Sequence, residues 1–182
     1  MQTQKTKTLV LIGIMTAVTC ILGPLSIALP ISPVPISFTN LAIYFSAILL
    51  GWKRGTISCL IYLLIGLIGL PVFSGFTGGP NKLVGMTGGY LIGFIFMALI
   101  TGFFVEHFKN NILMTVVGMV LGALVTYALG TIWLAYLSGM TFTAALFAGV
   151  IPYIPGDLVK IAIAAINAPI IKKRLAKSGY LS

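Results

Sequence analysis

In this 182-residue chain the residues best able to do chemistry are Asp157 and Lys160, three positions apart in Ile154-Pro155-Gly156-Asp157-Leu158-Val159-Lys160. At that spacing a helix carries both on one face. Together they offer a carboxylate acceptor and an ammonium donor. Following Pro-Gly, Asp157 is also expected to cap the helix that comes after it. The surroundings are apolar. From Lys160 to Lys172 is twelve residues, about 18 Å of helix, which puts Lys160 roughly 12 Å inside the outer edge of a hydrocarbon core about 30 Å thick. A charge near the centre of a span costs a few kcal/mol on insertion scales, so an intramembrane pair points to a site whose solute completes its bonding. A capping acid with Lys160 as its counter-ion is the purely structural alternative, and the neighbouring outer loop favours the ligand site.

That loop runs from Gly69 to Tyr90 and holds seven glycines between Gly69 and Gly89, interleaved with Phe73, Phe76, Asn81 and Tyr90. Glycine allows positive φ and close backbone approach, so the segment is able to fold over a ligand. A second outer connection, Pro30-Ile31-Ser32-Pro33-Val34-Pro35, is too rich in proline to be helical and is expected to be stiff and extended. Neither contains the Gly, four residues, Gly-Lys-Ser/Thr pattern of a phosphate cradle, so no ATPase is visible in the chain. One acid, one amine, amides, hydroxyls and aromatics suit a small polar-headed molecule with N–H donors and a carbonyl or carboxylate acceptor.

The elements that position these residues follow from composition. Hydrophobic residues make up 59% and charged residues 7% of the chain, against about 25% charged in a soluble domain. That excludes a soluble enzyme, a disordered regulator and a secreted disulfide scaffold. The apolar runs are residues 9–29, 36–52, 56–70, 89–105, 112–137 and 142–171, the last broken near 152–157 by Pro152, Pro155 and Gly156. The expectation is an all-α integral membrane bundle of six helices forming one domain over residues 1–182. Nine of the eleven basic residues fall at the amino terminus, in the second-to-third and fourth-to-fifth connections, and in the carboxyl tail. Positive charge marks the cytoplasmic side, so both termini are expected to be cytoplasmic, in a plasma membrane. Charge grouped at the ends of apolar runs anchors topology and does not suggest nucleic acid.

Gly118, Gly122, Thr126 and Gly130 recur every four residues and form a packing stripe, and Gly13 with Ala17 makes a shorter one. Cys20 and Cys59 lie in apolar runs without metal-ligand or disulfide spacing and are expected to be buried small side chains. His107, the sole histidine, stands beside Glu106 at a helix end and is expected to be exposed. No metal site and no cofactor are expected.

Four stretches in order resemble a known family: Pro33-Val34-Pro35-Ile36-Ser37, Gly69-Leu70-Pro71-Val72-Phe73, Thr87-Gly88-Gly89-Tyr90-Leu91 with Gly93-Phe94, and the segment around Asp157 and Lys160. Together they are similar to the BioY family, the biotin-binding S components of energy-coupling factor transporters. The resemblance implies a six-helix bundle that captures biotin from outside with high affinity. It also implies partners: a membrane coupling protein and two cytoplasmic ATPases that use the ATP. Asp157 would accept from a ureido N–H, and Lys160 would orient Asp157 and donate to the ligand. Asn81 would donate to the ureido oxygen or the carboxylate, and Phe73 and Tyr90 would flank the rings. Ser37, Phe38 and Thr39 stand where the family has Thr, a bulky residue and Gln, so Thr39 takes the place of an amide. Met86 replaces a proline between Gly85 and Thr87, and both of these are carried over as binding residues. The small residues of the first span that face the coupling protein correspond to Gly13 and Ala17.

Other classes fit less well. An ion-coupled secondary transporter of a small vitamin-like molecule predicts inverted repeats and several membrane acids, whereas the spans hold one acid and no evident repeat. Intramembrane aspartyl proteolysis needs a second Asp, and Asp157 is alone. An enzyme is therefore not expected.

Overall fold

An apolar segment in lipid must satisfy its backbone groups internally, which a helix does without help from its neighbours. The computed structural model describes residues 2–30 and 32–179 and is helical throughout most of them. Helix α1 (Gln2–Leu22) leads into a short antiparallel ribbon of β1 (Ser26–Ile27) and β2 (Ile36–Ser37). Then come α2 (Thr39–Leu67), the five-residue α3 (Pro80–Val84), α4 (Gly88–His107), α5 (Ile112–Ser138) and α6 (Phe142–Gly149). A single 3-10 turn, Ile151–Tyr153, precedes α7 (Ile154–Lys177). The all-α membrane fold expected from composition is what the chain adopts.

Among the described residues five helical stretches are long and apolar enough to cross a membrane, against six runs in the sequence. The difference lies in α2, which joins residues 36–52 to 56–70. It is not a straight rod. Gly51, at φ 80° and ψ −177°, breaks it, and a Cβ on Gly55 would lie 2.9 Å from the Cα of Ala47. In a straight helix those positions would be about 12 Å apart. The two arms therefore fold back on each other as a tight hairpin. Gly51 is required there by its positive φ, and a Cβ would in addition push the flexible Glu106 carboxylate aside.

The other boundaries shift for local reasons. Helix α1 stops at Leu22 because Pro24 disfavours helical backbone at Gly23. The last run breaks over residues 150–153, earlier than expected, because Pro155 occupies the first turn of α7, where no backbone N–H is needed. Asp157 consequently lies within the first turn and does not cap the helix; the cap position is Tyr153. Asn111 begins α5 by accepting from the N–H groups of Leu113 (2.9 Å) and Met114 (3.3 Å).

The small-residue stripe on α5 packs against α4 as its spacing implies. Gly130 meets the Tyr90 ring, Thr126 donates to the Gly93 carbonyl at 3.0 Å, Gly122 lies against Met97, and Gly118 against Phe104. The main apolar core joins both arms of α2 to α4, α5 and α7 through Tyr44, Tyr62, Leu91, Met97, Met119 and Ala164, among others. Helix α1 touches this body through Leu11, Ile12 and Met15 against Leu49 and Leu50, and leaves Leu9, Val10, Ile14 and Ile21 exposed. Cys59 is buried and Cys20 half-buried, both unbonded. His107 is exposed and stacks on Phe103 at 5.3 Å.

Candidate functional site

The start of α2 and the first turn of α7 meet at the buried ends of Asp157 and Lys160, 8% and 6% exposed. Lys160 Nζ lies 2.9 Å from Asp157 Oδ1, so the three-residue spacing does form the ion pair. Around it stand groups from distant parts of the chain. Asn40 Nδ2 donates to Asp157 Oδ1 at 2.8 Å. The Tyr127 hydroxyl, from α5, donates to Asp157 Oδ2. Lys160 Nζ also donates to the Ser37 carbonyl of β2 at 2.7 Å. The proline-rich connection explains that last bond: it returns the chain to pair Ser37 with Ser26, fixing the carbonyl where α7 arrives. Tyr153 holds the same connection from the other side through the Val34 carbonyl and Ser32 Oγ.

A solute is therefore not needed to keep the pair bonded. The expectation that a ligand completes it is corrected by three protein donors on the acid and two protein acceptors for the amine. A carboxylate offers about four lone-pair positions and an ammonium three N–H bonds. By that count each group has capacity for one more partner, Lys160 Nζ also lies 5.9 Å from the centre of the Phe38 ring, and both residues line a cavity. Low-dielectric surroundings make such a network costly to leave half-satisfied, so it is held ready before anything binds.

The cavity lies between β2, the starts of α2, α4 and α7, and the glycine-rich loop. Its lining includes Phe73, Thr87, Tyr90, Tyr127, Asp157 and Lys160, with Asn40, Lys82, Phe94 and Met97 among the rest. Phe73 is fully buried and packs edge-on against Tyr62 at 5.6 Å. The Tyr90 hydroxyl donates to the Gly149 carbonyl at 3.0 Å, and its ring packs against Gly130. Thr87 precedes α4 and accepts from the N–H groups of Tyr90 and Leu91 through its carbonyl.

Three sequence-derived residues are not brought to this lining. Asn81 is exposed on α3, where its neighbour Lys82 turns to the cavity instead. Thr39 is buried, but beside the cavity, and its hydroxyl accepts from Ser37 Oγ at 3.1 Å. Gly85 spends its carbonyl on Trp133 Nε1 at 2.9 Å. Gly13 and Ala17 are not part of the cavity lining and are exposed on α1, with open space where a Cβ on Gly13 would stand. Sequence reasoning missed Asn40 and Tyr127. Nothing local marks them, since each acts on a partner far along the chain. Among the described residues no cluster of metal-ligating side chains occurs.

A sequence model of the BioY family matches residues 1–177. The biotin transporter BioY of Rhizobium etli is 39% identical over 170 residues, spanning 88% of this chain and 90% of that protein. Its namesake in Lactococcus lactis subsp. cremoris is 37% identical over 182 residues, spanning 97% and 94%. The crystal structure at 2.1 Å of the S-component for biotin from an ECF-type ABC transporter superposes with a TM-score of 0.88 at 34% identity, covering 100% of this chain and 99% of that one.

Proposed function

This chain belongs to the BioY family, and from that premise we propose that it captures biotin from the outer side of the membrane as the substrate-binding subunit of an ECF-type transporter. The observation that carries this reading is the buried Asp157–Lys160 pair, already tied to Asn40, Tyr127 and Ser37 and still open to one partner on each charge.

Biotin has the complementary groups. Its ureido ring presents two N–H donors and a carbonyl acceptor. One N–H meets the remaining lone pair of Asp157. The third N–H of Lys160, or the second amide hydrogen of Asn40, serves the ureido oxygen. Phe73, Tyr90 and Phe94 give the sulfur ring and aliphatic tail an apolar wall. The pair's prior satisfaction keeps the binding groups oriented, so little ordering remains for the ligand to impose.

The chain supplies recognition, and the energy comes from elsewhere. A coupling protein in the membrane and two cytoplasmic ATPases complete the transporter in this reading. The exposed face of α1 with Gly13 and Ala17 receives the coupling protein, because small residues let another helix approach closely. The two arms of α2 count as separate crossings, so the bundle has six and both termini lie in the cytoplasm. Lys53 and Arg54, just past the Gly51 hairpin, then sit on the cytoplasmic side with the basic tail.

Equilibrium binding of labelled biotin to the detergent-purified chain tests this, with desthiobiotin and thiamine as competitors. Tight binding displaced by desthiobiotin and unaffected by thiamine is expected. Absence of biotin binding by a folded sample refutes the assignment.

A further inference from the structure

The charges lining the cavity do not balance. Asp157 and Lys160 neutralise each other at 2.9 Å, while Lys82 faces the same cavity from α3 with no side-chain partner among the described residues. The lining thus carries one surplus positive charge. Lys82 is half-buried, and it is the single basic residue of the glycine-rich outer loop.

Its position is held by backbone contacts. Before α3, the Gly79 N–H donates to the Gly66 carbonyl at 2.7 Å, at the end of α2. After α3, the Gly85 carbonyl accepts from Trp133 Nε1 at 2.9 Å, on α5. A five-residue helix anchored at both ends keeps a lysine over the cavity more firmly than an open loop would.

We propose that Lys82 is the counter-ion for the carboxylate of the bound ligand, and so selects an anionic solute over a neutral one with the same ring. This rests on the assignment of the cavity to biotin, which is a monoanion at neutral pH because carboxylic acids of this kind ionise near pH 4. Lys160 is the wrong amine for the role. Its charge is already committed to Asp157, and a second carboxylate placed there would face the first at close range, which is repulsive in a buried site. At Lys82 the anion meets an uncompensated ammonium, and the filled cavity becomes neutral.

The test compares biotin with biotinamide, which keeps the ureido ring and loses the charge. Their dissociation constants are measured by calorimetry on the full chain in detergent, for wild type, Lys82→Gln and Lys82→Arg. Wild type should prefer biotin by roughly tenfold to a hundredfold, the range of a charge-assisted hydrogen bond. K82Q should erase that preference by weakening biotin alone, and K82R should keep most of it. The inference is overturned if wild type does not discriminate, if K82Q retains the wild-type ratio, or if K82Q weakens both ligands equally. Failure of folded wild type to bind either ligand would instead remove the assignment of the cavity to biotin.

Discussion

Asn40 Nδ2 lies 2.8 Å from Asp157 Oδ1 across 117 positions of sequence, tying the start of α2 to the first turn of α7. The bond orients the carboxylate that the ligand is to meet. Replacing Asn40 with Ala should weaken biotin binding by roughly tenfold to a hundredfold, as loss of a hydrogen bond to a charged group costs about 1.5–3 kcal/mol. Asn40→Asp should be worse, because it sets a second carboxylate against the first. Titration with labelled biotin distinguishes the two, and equal affinities would contradict the geometry.

The Tyr127 hydroxyl is the donor to the other oxygen of Asp157. Tyr127→Phe removes that donor and leaves the ring in place. A loss of roughly tenfold in biotin affinity is expected, with a fall in stability of about 1–3 kcal/mol because one buried carboxylate oxygen loses its donor while the ring keeps its packing. Both quantities come from one purified sample.

Breaking the ion pair and removing it should have different consequences. Asp157→Leu strands the Lys160 ammonium in an apolar interior, a change that typically costs about 3–5 kcal/mol. The double variant Asp157→Leu with Lys160→Met leaves no buried charge, and its melting temperature should recover toward wild type while biotin binding stays lost. A double variant as unstable as the single one would mean that the pair is chiefly architectural.

Gly51 controls the hairpin in α2 and does not line the ligand cavity. Gly51→Ala forces a side chain into left-handed backbone and against Glu106. Destabilisation of at least about 1–3 kcal/mol is expected from the strain alone. Thermal unfolding in detergent should show it, and the fraction that remains folded should bind biotin with near-normal affinity.

Orientation is accessible to impermeant thiol labelling in a background lacking Cys20 and Cys59. A cysteine at exposed Asn81 should react in intact cells, and one at exposed Ser178 only after the membrane is opened. The reverse pattern would invert the topology.

Much of this was legible in the residues themselves. The charge-poor composition called for lipid, and the four-residue stripe on α5 named its own packing face, met by Tyr90, Gly93 and Met97. Asp157 and Lys160 were readable as a pair because helical spacing alone brings them together. The division of the last run was also visible in its prolines, though Pro155 proved compatible with the first helical turn. Within the glycine-rich loop the pattern was too weak to choose. Nothing in Pro80-Asn81-Lys82 says which side chain faces the cavity, because the short helix α3 decides that by its rotation.

What the chain determines by itself, then, is what local rules decide: solvent, helical period, and charges within one turn of each other. Only the tertiary structure decided that the acid has partners on α2 and α5, that Thr39 is buried outside the cavity lining, and that Gly51 folds α2 onto itself. The reason is physical. Contacts between residues about a hundred positions apart depend on how whole helices are placed, and that placement follows from the sum of many small packing energies with no local signature.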